Sequence, residues 1–233
     1  MWDPVQWAAN KWLPRSYHAV LPIFGSAILH LSTGVSYTFG NIMPYILSYM
    51  RAYTDPTLTA ASMTWIFSLG SVPGSYLLGG MLLNKCGFRW AIFISSCLAC
   101  GCYVLSYWSI HYGFISFLIT YSFLGGTCNA MIYAVSLFCA IKWLPMKPGI
   151  ASGVVMFGTG LNAFILSPIQ TRFVNPLNLP VDKDGYFTQP ELLARVPCMF
   201  LIMAGILFGM QLVGVFLLLN PPNESVKAGL VAD

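Results

Sequence analysis

Long apolar runs separated by short polar stretches dominate the pattern of the chain. None of the runs carries Asp, Glu, Lys or Arg well inside it. A helix needs about 20 apolar residues to cross the roughly 30 Å hydrocarbon layer of a bilayer, and backbone groups in lipid must be bonded within the segment itself. The pattern therefore predicts six membrane-spanning helices, over Ala19–Met50, Ala60–Leu83, Trp90–Ile110, Gly113–Ile141, Gly149–Phe173 and Pro197–Leu219.

These helices divide the chain into three predicted parts. Residues 1–18 form a cytoplasmic N-terminal segment, residues 19–219 a transmembrane domain and residues 220–233 a cytoplasmic tail. Within the domain, residues 174–196 contain several Pro, Asp and Gly residues, which is typical of a loop, and an outer loop is expected there. The first apolar run is too long for the core of a signal peptide and is expected to remain as an anchor.

Composition excludes a soluble domain, because charged residues make up only 8% of the chain and hydrophobic residues make up 57%. The basic residues also predict an orientation. Seven of the 11 Lys and Arg residues fall on one side of the predicted helices and four on the other. Cytoplasmic loops carry the excess of Lys and Arg, so both termini are expected in the cytoplasm. The positive charge therefore indicates topology rather than a nucleic-acid partner, and a plasma membrane is favoured over an organelle.

Two predicted helices carry polar residues along one face. His30, Tyr37 and Asn41 recur at helical spacing in the first, and Asn129 and Tyr133 in the fourth. One interpretation is a shared aqueous cavity in which these side chains contact a small polar solute. The other is hydrogen bonding between packed helices. For His30 the alternatives are proton coupling, since imidazole titrates near neutrality, and simple packing.

Catalytic and metal-binding patterns are missing from the sequence. The seven cysteines fall mostly within the predicted spans, and no His pair accompanies them at the spacing of a zinc site. Paired intramembrane carboxylates and nucleophile–base sets are also missing, which disfavours a membrane enzyme. We therefore expect no cofactor and no metal.

A short motif recurs in the two polar helices. Asn-x-Met-x-Tyr occurs at residues 41–45 and again at residues 129–133. Such a recurrence, three helices apart, is expected of a 3+3 inverted repeat.

A glycine-rich basic loop follows the second predicted helix. It contains Gly80, Asn84, Lys85, Gly87 and Arg89. This spacing resembles the cytoplasmic signature loop of the major facilitator superfamily, although the family usually has Asp where this chain has Asn84. Glycine permits a tight turn, and basic residues favour the cytoplasmic side and the C-terminal ends of helices.

A second motif precedes the fifth predicted helix. Trp143, Pro145, Gly149 and Gly153 resemble the junction between the fourth and fifth helices in the oxalate/formate antiporter-like and monocarboxylate transporter-like branch of that superfamily. The branch often has Arg where Pro148 stands here.

The resemblance implies an all-α integral membrane fold, one six-helix half of a twelve-helix major facilitator. It also implies secondary active transport of a small organic anion, most simply a monocarboxylate, by alternating access. The expected partners are membrane lipid, the anion, and a second six-helix half or another copy of the chain. A truncated or regulatory half-carrier without transport, and an oligomeric channel, remain alternatives.

Overall fold

The computed structural model describes residues 7, 17–70 and 74–221, and every regular element within them is helical. A 3₁₀ segment, Gly34–Thr38, and a π-helical segment, Leu118–Leu124, interrupt the α-helices. The α-helices are Tyr17–Thr33, Phe39–Tyr53, Ala60–Gly70, Gly74–Tyr112, Phe114–Phe117, Gly125–Trp143, Pro148–Val174 and Pro190–Leu217. Most of the predicted N-terminal segment and of the predicted tail lies outside the described residues.

The helices make six membrane passes. Five helical stretches are long and apolar enough to span a bilayer, and the second, Ala60–Tyr112, covers 53 residues, of which the structure describes Ala60–Gly70 and Gly74–Tyr112. At about 1.5 Å per residue it would be about 80 Å long, more than twice the thickness of the hydrocarbon layer. It contains a turn at Gly87, where φ is 80° and ψ is 171°. Residues 60–86 and 88–112 are therefore the second and third passes, and the predicted six-helix membrane fold is confirmed.

The sixth pass begins earlier than the sequence predicts. Its helix starts at Pro190, so the connection after the fifth pass is residues 175–189 and not 174–196. Proline is favoured in the first turn of a helix, and Glu191 lies near the positive end of the helix dipole. The first two turns are thus helical but carry the charged residues Glu191 and Arg195, and a hydropathy pattern registers only the uninterrupted apolar part of such a helix.

The connection 175–189 packs on the C-terminal end of the first pass. The backbone N–H of Phe187 donates to the Ser48 hydroxyl at 3.0 Å, and the Phe187 ring stacks on Tyr45 at 4.6 Å between centroids. The guanidinium of Arg51 lies 4.3 Å from the centre of the Tyr186 ring. These contacts hold the connection against the helices.

Polar and apolar side chains are distributed as a lipid solvent requires. Large apolar side chains on the outside of the bundle are exposed, including Leu77, Phe157, Phe164 and Phe216. Many polar side chains within the passes, such as His30, are buried. Hydrocarbon cannot hydrogen-bond these groups, and the His30 ring, for example, bonds to Thr159 and Tyr133 on neighbouring passes.

The first and fifth passes touch through their backbones. A Cβ added at Gly158 would lie 2.3 Å from the carbonyl oxygen of Ala27, and one added at Gly34 would lie 2.7 Å from that of Thr159. Only glycine allows this approach, which is common between membrane helices. The contact fixes the distance between these two passes beside the cavity described below.

Candidate functional site

Two passes depart from α-helical geometry at the same level of the bundle. The 3₁₀ segment Gly34–Thr38 carries Ser36 and Tyr37, and the π segment Leu118–Leu124 carries Tyr121 and Ser122. All four side chains line one of two adjoining cavities. Both kinds of irregularity are frequent at functional sites, which makes this region the candidate site.

The larger cavity has a volume of about 210 Å³ and lies between the first, second, fourth and fifth passes. The second and fourth passes touch at two of its lining residues, because a Cβ added at Gly126 would lie 2.5 Å from Gly70. Its lining consists of Thr33, Ser36, Tyr37, Phe67, Gly70, Tyr76, Gly126, Asn129, Ala130, Tyr133 and Thr159.

Hydroxyl groups provide most of the polar lining. Three are phenolic, from Tyr37, Tyr76 and Tyr133, and the rings of Tyr76 and Tyr133 meet edge to face at 6.4 Å. Tyr37 is 66% exposed. A hydroxyl can donate or accept a hydrogen bond. Since no charged side chain is among the described residues of the lining, the cavity supplies hydrogen bonds without a fixed charge.

A smaller cavity of about 50 Å³ adjoins the first, and Asn129 lines both. The Asn129 amide nitrogen donates to the carbonyl of Gly125 at 3.0 Å. That carbonyl can only accept, so the bond fixes the orientation of the amide. Its Oδ1 atom is buried and accepts no hydrogen bond from the residues that the structure describes.

The structure brings together three of the five predicted cavity residues. Tyr37, Asn129 and Tyr133 line the same cavity. His30 lies behind the cavity wall, fully buried, with its ring 4.3 Å from that of Tyr133. Asn41 does not line it.

Asn41 instead bonds to the fifth pass. Its amide nitrogen donates to the carbonyl of Ser167 at 3.2 Å, and its oxygen accepts from the Thr171 hydroxyl at 3.1 Å. A 3₁₀ helix turns about 20° more per residue than an α-helix. Five such residues add about 100° of rotation between His30 and Asn41, and this rotation moves Asn41 off the face that the regular spacing from His30 predicts.

Two important lining residues were not singled out from the sequence. Tyr76 lies on the second pass, where no polar stripe marked a face. Thr159 stands between Gly158 and Gly160, and glycine-rich stretches of this kind are typical of close packing between membrane helices. The position of Thr159 next to Gly158 could have identified it. Gly158 contacts the backbone of the first pass and so brings Thr159 close to that pass.

The two family-like motifs meet at the end of the sixth pass. A guanidinium nitrogen of Arg89 donates to the carbonyl of Leu218, and the Trp143 indole N–H donates to that of Leu219 at 3.0 Å. The helix ends at Leu217, where carbonyls lack intrahelical partners. Gly87 provides the turn that precedes Arg89, because its positive φ is unfavourable for other residues.

The other motif residues are less enclosed. A Cβ added at Gly80, Gly149 or Gly153 would meet nothing within 4 Å. Asn84, Lys85 and Pro145 are exposed. The close contact between the second and fourth passes is made by Gly79 instead, where an added Cβ would lie 3.1 Å from the Met131 Cα.

Six passes, four of which line a polar cavity, define the chain as a multi-pass membrane protein. The sequence profile of the Major Facilitator Superfamily matches residues 27–232. The chain belongs to this family.

Two curated relatives from Toxoplasma gondii are similar to the chain. Apicoplast pyruvate carrier 1 is 26% identical over 238 aligned residues, which cover 82% of this chain and 43% of the relative. Apicoplast pyruvate carrier 2 is 27% identical over 259 residues, which cover 91% of this chain and 39% of the relative. The chain thus spans less than half the length of either relative.

Proposed function

We propose that this chain forms one six-helix half of a secondary active transporter that moves a small monocarboxylate, such as pyruvate, by alternating access. The observation that carries the proposal is the cavity lined by six hydroxyl groups and one amide. Carboxylate and keto oxygens accept hydrogen bonds from such groups. The names of the two pyruvate carriers support the same substrate class.

The lining leaves the negative charge of a carboxylate uncompensated. Burying an unpaired charge is costly, so the complete site needs a cation from outside the described lining. A second six-helix unit, joined in the same polypeptide or supplied by another copy, can provide it. Open glycines at positions 149, 153 and 160 of the fifth pass offer that unit a surface for close approach.

Binding is the first property to test, using the purified chain in lipid nanodiscs. Pyruvate should raise its unfolding temperature in a saturable manner, because ligands that bind only the folded state stabilise it. Tyr37→Phe, Tyr76→Phe and Tyr133→Phe should each weaken binding by about tenfold, the usual effect of losing a hydrogen bond to a charged group. Tyr112→Phe is the matched control, because Tyr112 is 82% exposed and lies at the end of the third pass.

Flux measurements separate the proposal from its alternatives. Uptake of labelled pyruvate into proteoliposomes, saturable and reduced by the three cavity substitutions, supports a carrier. Binding without uptake, when all copies and partners are present, identifies a half-carrier without transport. Electrical currents far above carrier turnover identify a channel. Equal stabilisation of the wild type and a triple Tyr→Phe variant would contradict the assigned cavity.

The orientation and membrane are further parts of the proposal. Both termini face the cytoplasm, as the distribution of basic residues favours. The sequence favours the plasma membrane, whereas the relatives are named for the apicoplast, so an organelle membrane is the second candidate. Protease accessibility of terminal tags and imaging of a tagged chain test the two statements separately.

A further inference from the structure

The hydrogen bonds of His30 connect a buried imidazole to the cavity wall. Its Nδ1 atom lies 3.0 Å from the Thr159 hydroxyl, and its Nε2 atom lies 3.2 Å from the backbone carbonyl of Tyr133. The imidazole is completely buried. Thr159 and Tyr133 both line the larger cavity. Thr159 is therefore the side chain that separates the hydrogen-bonded His30 Nδ1 atom from the substrate space.

The carbonyl of Tyr133 fixes the direction of one of these bonds. A carbonyl oxygen only accepts, so Nε2 carries hydrogen in both the neutral and the protonated imidazole. In the neutral ring Nδ1 is then an acceptor, and the Thr159 hydroxyl donates its hydrogen to it. The oxygen of Thr159 presents only lone pairs to the cavity in this state, which a carboxylate does not favour.

Protonation reverses the second bond. Nδ1–H of the imidazolium donates to Oγ1 of Thr159, and the hydroxyl hydrogen is then free to point into the cavity. A hydronium ion in the cavity can produce this state directly. It transfers a proton to Oγ1 while Oγ1 transfers its own hydrogen to Nδ1, leaving water, an imidazolium and a hydroxyl that faces the cavity as a donor.

We propose that Thr159 is the positioning residue through which proton binding at His30 is communicated to the anion site, by changing from a hydrogen-bond acceptor to a donor. The proposal rests on the monocarboxylate function proposed above. Because linkage is reciprocal, proton binding strengthens carboxylate binding and carboxylate binding strengthens proton binding to the same extent.

The fold holds the two residues in register. The backbones of the first and fifth passes are in direct contact at Gly158 and at Gly34. These contacts lie close to the hydrogen bond between His30 and Thr159. Asn162, one turn after Thr159, donates to the carbonyl of Leu31. His30 and Thr159 therefore stay within hydrogen-bond distance as long as these passes remain packed.

The other titratable groups near His30 are tyrosines. Tyr133 of the fourth pass is in ring contact with it, and Tyr37 of its own pass and Tyr76 of the second pass line the same cavity. The fifth pass carries one charged residue, Arg172, in its last turn. The sixth pass carries Glu191 and Arg195 near its outer end. His30 is thus the titratable group that is hydrogen-bonded to the cavity wall through the Thr159 side chain.

The test measures the affinity of the full chain in nanodiscs for pyruvate between about pH 4 and 8, a range wide enough to include the protonation of a buried imidazole. Wild-type affinity should rise as pH falls, by at most about tenfold per pH unit, the limit for one proton coupled to one anion. In Thr159→Val, Thr159→Ala and His30→Gln the affinity for pyruvate should no longer depend on pH; this pH dependence is called the pH slope below. Thr159→Ser should retain it because the hydroxyl is restored.

Thr33→Val is the matched control. Thr33 lines the same cavity, but its hydroxyl donates to the backbone carbonyl of His30 at 3.3 Å and not to the ring. Its pH slope should equal that of the wild type, whatever its affinity. A wild-type slope in Thr159→Val or Thr159→Ala overturns the relay, as does pyruvate affinity that is independent of pH in the wild type. Absence of pyruvate binding at every pH overturns the monocarboxylate function and the relay with it.

Discussion

The two faces of the fifth pass, Pro148–Val174, contain the same kinds of residue in different environments. Towards the first pass, Gly158 is in backbone contact and Thr159, Asn162 and Gln170 are buried. On the other side, a Cβ added at Gly149, Gly153 or Gly160 would meet nothing within 4 Å. A glycine in a membrane helix therefore indicates a possible close contact, and only the neighbouring helix decides whether the contact exists.

Hydrogen bonds from polar residues stabilise the packing of the fifth pass against the first. Thr159 bonds to the His30 ring, Asn162 to a backbone carbonyl of the first pass, and Gln170 to the Thr38 hydroxyl at 2.9 Å. In a hydrocarbon surrounding, unpaired polar groups are costly. Each bond therefore favours one rotation of the fifth helix and leaves the opposite face open to lipid or a partner.

Among substitutions that test the two faces, Gly158→Ala should reduce the stability of the chain the most. The new methyl group would lie 2.3 Å from the Ala27 carbonyl oxygen, so the two backbones must separate. Overpacking typically costs about 1–3 kcal/mol, with further loss from the bonds beside it. Thermal unfolding in detergent measures the change. Gly160→Ala is the control and should stay within about 0.5 kcal/mol of the wild type, and equal destabilisation of the two variants would contradict the assigned faces.

Gln170→Leu should have the next largest effect. The Gln170 amide nitrogen donates to the Thr38 hydroxyl, and the Gln170 amide oxygen lies 3.4 Å from the amide nitrogen of Asn41. Removing one partner of a buried hydrogen bond costs about 1–3 kcal/mol. The same unfolding measurement applies, with Ser152→Ala as a control, because Ser152 bonds only locally to the Gly149 carbonyl on the open side. Stability equal to the wild type would show that the buried polar bonds do not hold this seam.

Gly153→Leu should have the smallest effect on the stability of the chain. An added side chain meets open space there, so unfolding should change by no more than about 0.5 kcal/mol. The same substitution should reduce association with a second six-helix unit, because a close helix crossing needs a small residue. Association is measured by crosslinking in membranes, with Leu77→Ile as a control at an exposed position of the second pass. Unchanged association would remove this face from the proposed partner surface.

Asn41 and Tyr76 illustrate how far the cavity could be predicted. The spacing from His30 to Asn41 fits one face of a regular α-helix, but the 3₁₀ segment Gly34–Thr38 between them adds rotation, and Asn41 bonds to the fifth pass. Tyr76 reaches the cavity from a helix without a polar stripe. A periodicity assumes a constant helical twist and a known neighbour, and neither condition held at these positions.

The sequence by itself determined the membrane class, the six passes and the turn at Gly87. Apolar length and the scarcity of charge follow from the thickness and chemistry of the bilayer, and a positive φ at this turn favours glycine. Tertiary structure alone decided which polar residues share the cavity, which glycines are in contact, and that Arg89 and Trp143 meet at the end of the sixth pass. These outcomes depend on helix rotation and on the distance between helices, which are set by contacts among residues far apart in the chain.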